Sequence, residues 1–154
     1  MFDSPIRQLM TVTAVTFALS TSAVAQQAFS DAQVRATIDV VLDNIERARC
    51  GPAHCAPASV AERRAPPLSL ADARRVIARG QLSALAEWCG LDWQRRNYLP
   101  LMQAERAAGR PDRVLAMVGL MHGYVHGQAQ SSLRQGGACT AADRADTERR
   151  LAAR

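Results

Sequence analysis

The sequence predicts an all-α fold: a small bundle of about five or six helices stapled by disulfides. Three observations carry that expectation. Apolar residues recur at spacings of three and four through most of the chain, no segment alternates apolar with polar residues as a strand would, and the four cysteines all lie beyond residue 25.

The elements follow in order. In MFDSPIRQLMTVTAVTFALSTSAVAQQAF, Arg7 gives a mildly positive start, residues 9–19 are mostly apolar, and Ala23-Val24-Ala25 offers the small residues a signal peptidase accepts. A secretory signal over 1–25 is therefore expected, followed by one helical domain over 26–154. No Cys lies at the cut to take a lipid anchor. No stretch beyond it approaches the roughly 20 apolar residues of a membrane span, so no transmembrane segment is expected in the mature chain.

Val34, Ile38, Val41, Leu42 and Ile45 then mark an amphipathic helix over about 31–48. Residues 50–68 hold Pro52, Pro57, Pro66 and Pro67 and read as an irregular, proline-rich connection. Ser69-Leu-Ala-Asp72 has the form of a capping box ahead of Ala73, Val76 and Ile77, and Gly80 is expected to end or bend that helix before a short one over 81–89. Asp92 can cap the next segment, in which Pro100 should kink or restart the helix and Gly109 should close it. Pro111 opens a long helix over about 112–134, which Gly136-Gly137 stops. Thr140-Ala-Ala-Asp143 caps a terminal helix anchored by Cys139 and Leu151.

An even cysteine count in an exported chain reads as two disulfides, and Cys50, Cys55, Cys89 and Cys139 allow three pairings. The Gly and Pro of Cys50-Gly-Pro-Ala-His-Cys55 favour a local bridge, with Cys89 to Cys139 as the long-range one. The C-x4-C spacing is not that of a zinc knuckle. The formal net charge is +5, and the chain has no lysine, so all 19 basic residues are arginine. Arginine pairs are scattered along the chain, from Arg63-Arg64 to Arg149-Arg150. A nucleic-acid surface would concentrate such charge and interleave aromatics, of which there are only two Trp, two Tyr and three Phe. The partners expected are a protein or an acidic envelope component, and no nucleic acid.

Candidate chemistry gathers in the long helix. Val114, Val118, Met121, Val125 and Ala129 form its apolar stripe, with His122 inside the stripe and His126 at its margin. Gly119, Gly123 and Gly127 recur every fourth residue on the adjoining face. Each costs roughly 1 kcal/mol relative to alanine in a helix interior, so they are expected to admit a closely packed neighbouring helix. His122 beside them reads as a buried core residue. The alternative is a transition-metal site using His122 and His126, to which Met117, Met121 or His54 would add ligands. No cofactor is expected. Glu87, Asp92 and Glu105 flank Trp88, Trp93 and Tyr98, a pairing that would suit glycan hydrolysis, but they read instead as a cap at Asp92 and solvated helix faces at Glu87 and Glu105.

AEWCGLDWQRRNYLPLM, LMHGYVHG and GGACTAADR together resemble a pattern in small exported proteins of Gram-negative bacteria that have no assigned function. The resemblance covers about residues 81–151 and rests on Cys89-Gly90, Trp93, His122-Gly123 and Cys139. It implies a periplasmic helical domain in which Cys89 and Cys139 form the shared bridge and Cys50 and Cys55 are an addition. It implies no activity. The function expected is therefore that of a small periplasmic or secreted helical binding or interaction protein. The alternatives are a periplasmic metal binder using His122 and His126, or an envelope hydrolase or an inhibitor of one.

Overall fold

The computed structural model describes residues 29–153. The expected signal segment, 1–25, lies outside the described residues. Six α-helices build an all-α bundle: α1 (Asp31–Asp43), α2 (Val60–Arg64), α3 (Leu70–Trp88), α4 (Leu99–Ala107), α5 (Asp112–Gln135) and α6 (Ala141–Ala152). Cys50 pairs with Cys55, and Cys89 with Cys139.

Helix α1 starts where Ser30 and Gln33 exchange side-chain to backbone hydrogen bonds. It is shorter than the periodicity suggested. The Asn44 side chain donates to the Val40 carbonyl at 2.8 Å, competing with continuation, and the chain tightens into a 3-10 turn over Ile45–Arg47 that still buries Ile45.

The proline-rich stretch is more ordered than expected. A two-residue hairpin, β1 (Arg49–Cys50) with β2 (Ala53–His54), is closed by the local disulfide. Gly51 takes φ +69° at the first position of its turn, which glycine adopts without steric penalty. Helix α2 follows, capped reciprocally by Ser59 and Glu62. The Arg113 guanidinium grips the Glu62 carboxylate through both oxygens. Those hydrogen bonds, joined by one from the Ser59 backbone, lower the Glu62 pKa to about 2 and tie α2 to α5.

Helix α3 runs unbroken through Gly80, contrary to the bend expected there. A Cβ on Gly80 would lie 3.0 Å from both the His122 carbonyl oxygen and the Val125 Cβ. At this glycine α5 packs directly against the α3 backbone. Around this crossing, Val34, Ile38, Ile77, Met117, Val118 and Met121 form the main core. A second apolar cluster of Leu82, Ala86, Cys89, Leu91 and Leu151 surrounds the long-range bridge and seats α6.

Ahead of α4 the backbone widens into a π-helical turn over Gln94–Tyr98, where the Leu99 N–H donates to the Gln94 carbonyl, and Pro100 follows in the first turn of α4. Thr140 and Asp143 cap α6 reciprocally, as the sequence indicated.

Candidate functional site

The histidines sit in a closed polar seam between α3, the π turn and α5. His122 is 1% exposed, and Ser83 and Asn97 beside it are fully buried. Asn97 Nδ2 donates to the Arg79 carbonyl and to Ser83 Oγ, both at 2.7 Å. Because Ser83 Oγ accepts from Asn97, its single proton is free to donate to His122 Nε2, 2.9 Å away. In that arrangement His122 is the neutral imidazole protonated on Nδ1. Burial, reinforced by the neighbouring positive charges of His126 and Arg79, lowers its pKa to about 4.

Rings close the seam on its outer side. Trp93 lies 4.4 Å from His126 between centroids, and Tyr98 lies 4.8 Å from His122. His126 Nε2 comes within 2.6 Å of a Glu87 carboxylate oxygen, a charge contact whose direction is not that of a hydrogen bond. The His122 and His126 centroids are 6.0 Å apart, and Trp93 packs against both rings, 5.9 Å from His122. Among the described residues, no three His, Cys, Asp or Glu side chains converge as a metal site would need.

The three carboxylates of interest are also dispersed. Asp92 Oδ1 accepts from the Arg95 backbone N–H as a cap, and Glu87 faces His126. Glu105 departs from the solvated position expected of it: it is only 3% exposed, held between Arg75 at 2.7 Å and Arg110 at 3.3 Å.

The glycines correct the expectation most. Gly123 and Gly127 have open space where a Cβ would stand, and Gly119 has only the Tyr98 hydroxyl, 3.5 Å from that point. The expected neighbouring helix is absent from this face, and the tight crossing is supplied by Gly80 on the partner helix. Gly119 and Gly123 instead floor a groove of about 870 Å³, within the size range of small-ligand pockets. One wall is α1 and the turn after it, with the partly buried Val40 and Ala48 and the buried Val41. The other is Tyr98 and Met102 leading into α4, while Leu115, Leu120 and Tyr124 flank the floor. Arg47, Arg49 and Arg106 stand at its rim, with Asp112 among them.

Sequence reasoning placed His122 in the core and missed the groove. Tyr98 and Arg106 join it only because α4 folds back along α5, which no local pattern encodes. Asn97 had no signal at all, being a polar residue between arginines and a tyrosine. Helix α2 did have one, the Ser59-Val-Ala-Glu62 box.

Among the described residues, no helix is long and apolar enough to cross a membrane. Comparison of the chain with models of protein families, with curated proteins and with solved structures finds no match.

Proposed function

We propose that the protein is a small exported binding protein that takes a ligand into the groove along α5. The observation that carries this is the open floor at Gly119 and Gly123. Two glycines that weaken a helix interior by roughly 1 kcal/mol each face space instead of a packing partner, and the space is bounded by apolar side chains and two tyrosines. Export is supported by the Ala23-Val24-Ala25 cleavage pattern and by two disulfides, which persist in oxidising compartments. The metal-binding alternative has less support, because His122 Nε2 is already engaged with the Ser83 hydroxyl and, among the described residues, no three His, Cys, Asp or Glu side chains converge.

Binding is tested with the neutral, environment-sensitive dye Nile red and the oxidised protein starting at Gln26. Uptake with a fluorescence rise is expected in the unaltered protein. Gly119→Leu and Gly123→Leu, which place a side chain in the groove without entering the core, should each weaken uptake at least tenfold while leaving thermal stability within a few degrees. Equal dye uptake by all three proteins would reject the groove as the site.

A further inference from the structure

The geometry points to a single-chain anionic amphiphile as the ligand class of this groove, its apolar chain lying over Gly119 and Gly123 and its acidic head meeting Arg47, Arg49 and Arg106. This rests on the groove being a binding site, and adds the polarity of what binds there.

The groove has two unlike ends. Gly51 lies against Asp112 at the start of α5, since a Cβ there would be 3.0 Å from Asp112 Oδ2. The hairpin and the preceding turn therefore bring Arg49 and Arg47 to that end. On the opposite wall, Tyr98 lies against Gly119. Helix α4 runs from Tyr98 to Ala107 and a short connection returns the chain to Asp112, so Arg106 reaches the same end from the other side. The far end holds Leu120, Gly123 and Tyr124, and among the described lining residues the charged ones are Arg47, Arg49, Arg106 and Asp112. Between Asp112 and Tyr124 the helix advances about 18 Å at 1.5 Å per residue, a length suited to an extended chain and not to a compact ring system.

The charge at the near end is unbalanced. Three guanidinium groups and one carboxylate line it, and among the described residues none of the three is ion-paired, although the Arg49 guanidinium also donates to the Pro52 carbonyl of its own hairpin. Other arginines are ion-paired, among them Arg63 with Asp43, Arg75 and Arg110 with Glu105, and Arg113 with Glu62. Guanidinium forks suit carboxylate or phosphate oxygens in two-point contacts. A cationic or zwitterionic head would forfeit that attraction, and a purely apolar ligand would leave it unused.

The experiment displaces Nile red with dodecanoate, dodecanol and dodecyltrimethylammonium, each below its micelle concentration, at low and high salt. Dodecanoate is expected to bind about tenfold or more tightly than dodecanol at low salt, with the gap shrinking at high salt, and the cation to bind more weakly than either. Shortening the carboxylate by one methylene should weaken binding about fourfold. Arg47→Gln and Arg106→Gln should each reduce the preference for dodecanoate over dodecanol by about threefold or more and leave dodecanol affinity unchanged, while Arg106→Lys should retain most of the preference. If dodecanol matches dodecanoate, or the cation binds best, the ligand is not an anion and the inference falls while the groove stands. If dodecanoate binds better but both Gln variants keep the full preference, the head lies elsewhere and the inference also falls. If Nile red itself fails to bind in a manner sensitive to Gly119 and Gly123, the groove is no binding site.

Discussion

His122 shows how one buried side chain writes a pH dependence into the fold. Its pKa of about 4 in the native protein lies below the ordinary 6.5. Above pH 6.5 the imidazole is neutral in both folded and unfolded chains and the shift has no effect on stability. Between pH 6.5 and 4 the unfolded chain takes up a proton that the native protein refuses, so stability falls as the medium is acidified, by about 3 kcal/mol across the window. Below about 4 both states are protonated and the decline from this residue ends. His122→Gln, which keeps an acceptor for Ser83, should flatten the urea midpoint between pH 6.5 and 4 relative to the unaltered protein. Parallel pH profiles for the two would show that His122 is not the group responsible. The histidine was legible in the sequence because it sits inside an apolar stripe at helical spacing; its partners Ser83 and Asn97, from two other elements, were not.

At the scale of elements, the same residue type does opposite things on two helices. Gly80 on α3 is where α5 crosses, and Gly127 on α5 faces open space. Gly80→Ala forces a methyl to within 3.0 Å of the His122 carbonyl oxygen, which backbone cannot easily yield, and should destabilise by roughly 1 to 3 kcal/mol. Gly127→Ala should stabilise by roughly 0.5 to 1 kcal/mol, the ordinary gain in helix propensity. Thermal melts of the two variants give the signs directly, and a stabilising Gly80→Ala would contradict the close crossing. The start of α6 stands where its capping box puts it, and α5 lies within a residue of the bounds that Pro111 and Gly136 suggested, whereas α3 was expected as two helices meeting at Gly80. Periodicity could not assign the crossing point. A lone glycine at position 80 reads as a helix breaker and three glycines in register read as a packing face, until the neighbouring helix is in place to show which of them it meets.

For the whole molecule, the two bridges are unequal. Cys50–Cys55 spans 5 positions and Cys89–Cys139 spans 50. On the loop-entropy model the longer bridge restricts the unfolded chain by about 2 kcal/mol more, and it also carries the second apolar cluster that seats α6. Cys89→Ser with Cys139→Ser should therefore lower the melting temperature more than Cys50→Ser with Cys55→Ser, and the reverse order by calorimetry would count against the entropic account. The all-α class was readable from composition and period. The groove was not, because it is made by what α1, α4 and α5 leave unfilled when they meet.

The longer bridge also fixes how the molecule would bear a load. The loop it closes contains the π turn, α4 and α5, including the whole glycine floor. Tension applied between residues 29 and 153 passes directly from Cys89 to Cys139 and bypasses those elements. Stretched in an optical trap, the oxidised protein should extend only through the segments outside the bridge, and adding reductant should release about 170 Å of further contour at roughly 3.4 Å per residue. The floor of the groove and its α4 wall are thus mechanically shielded by a single covalent bond, while the α1 wall and the hairpin lie outside it.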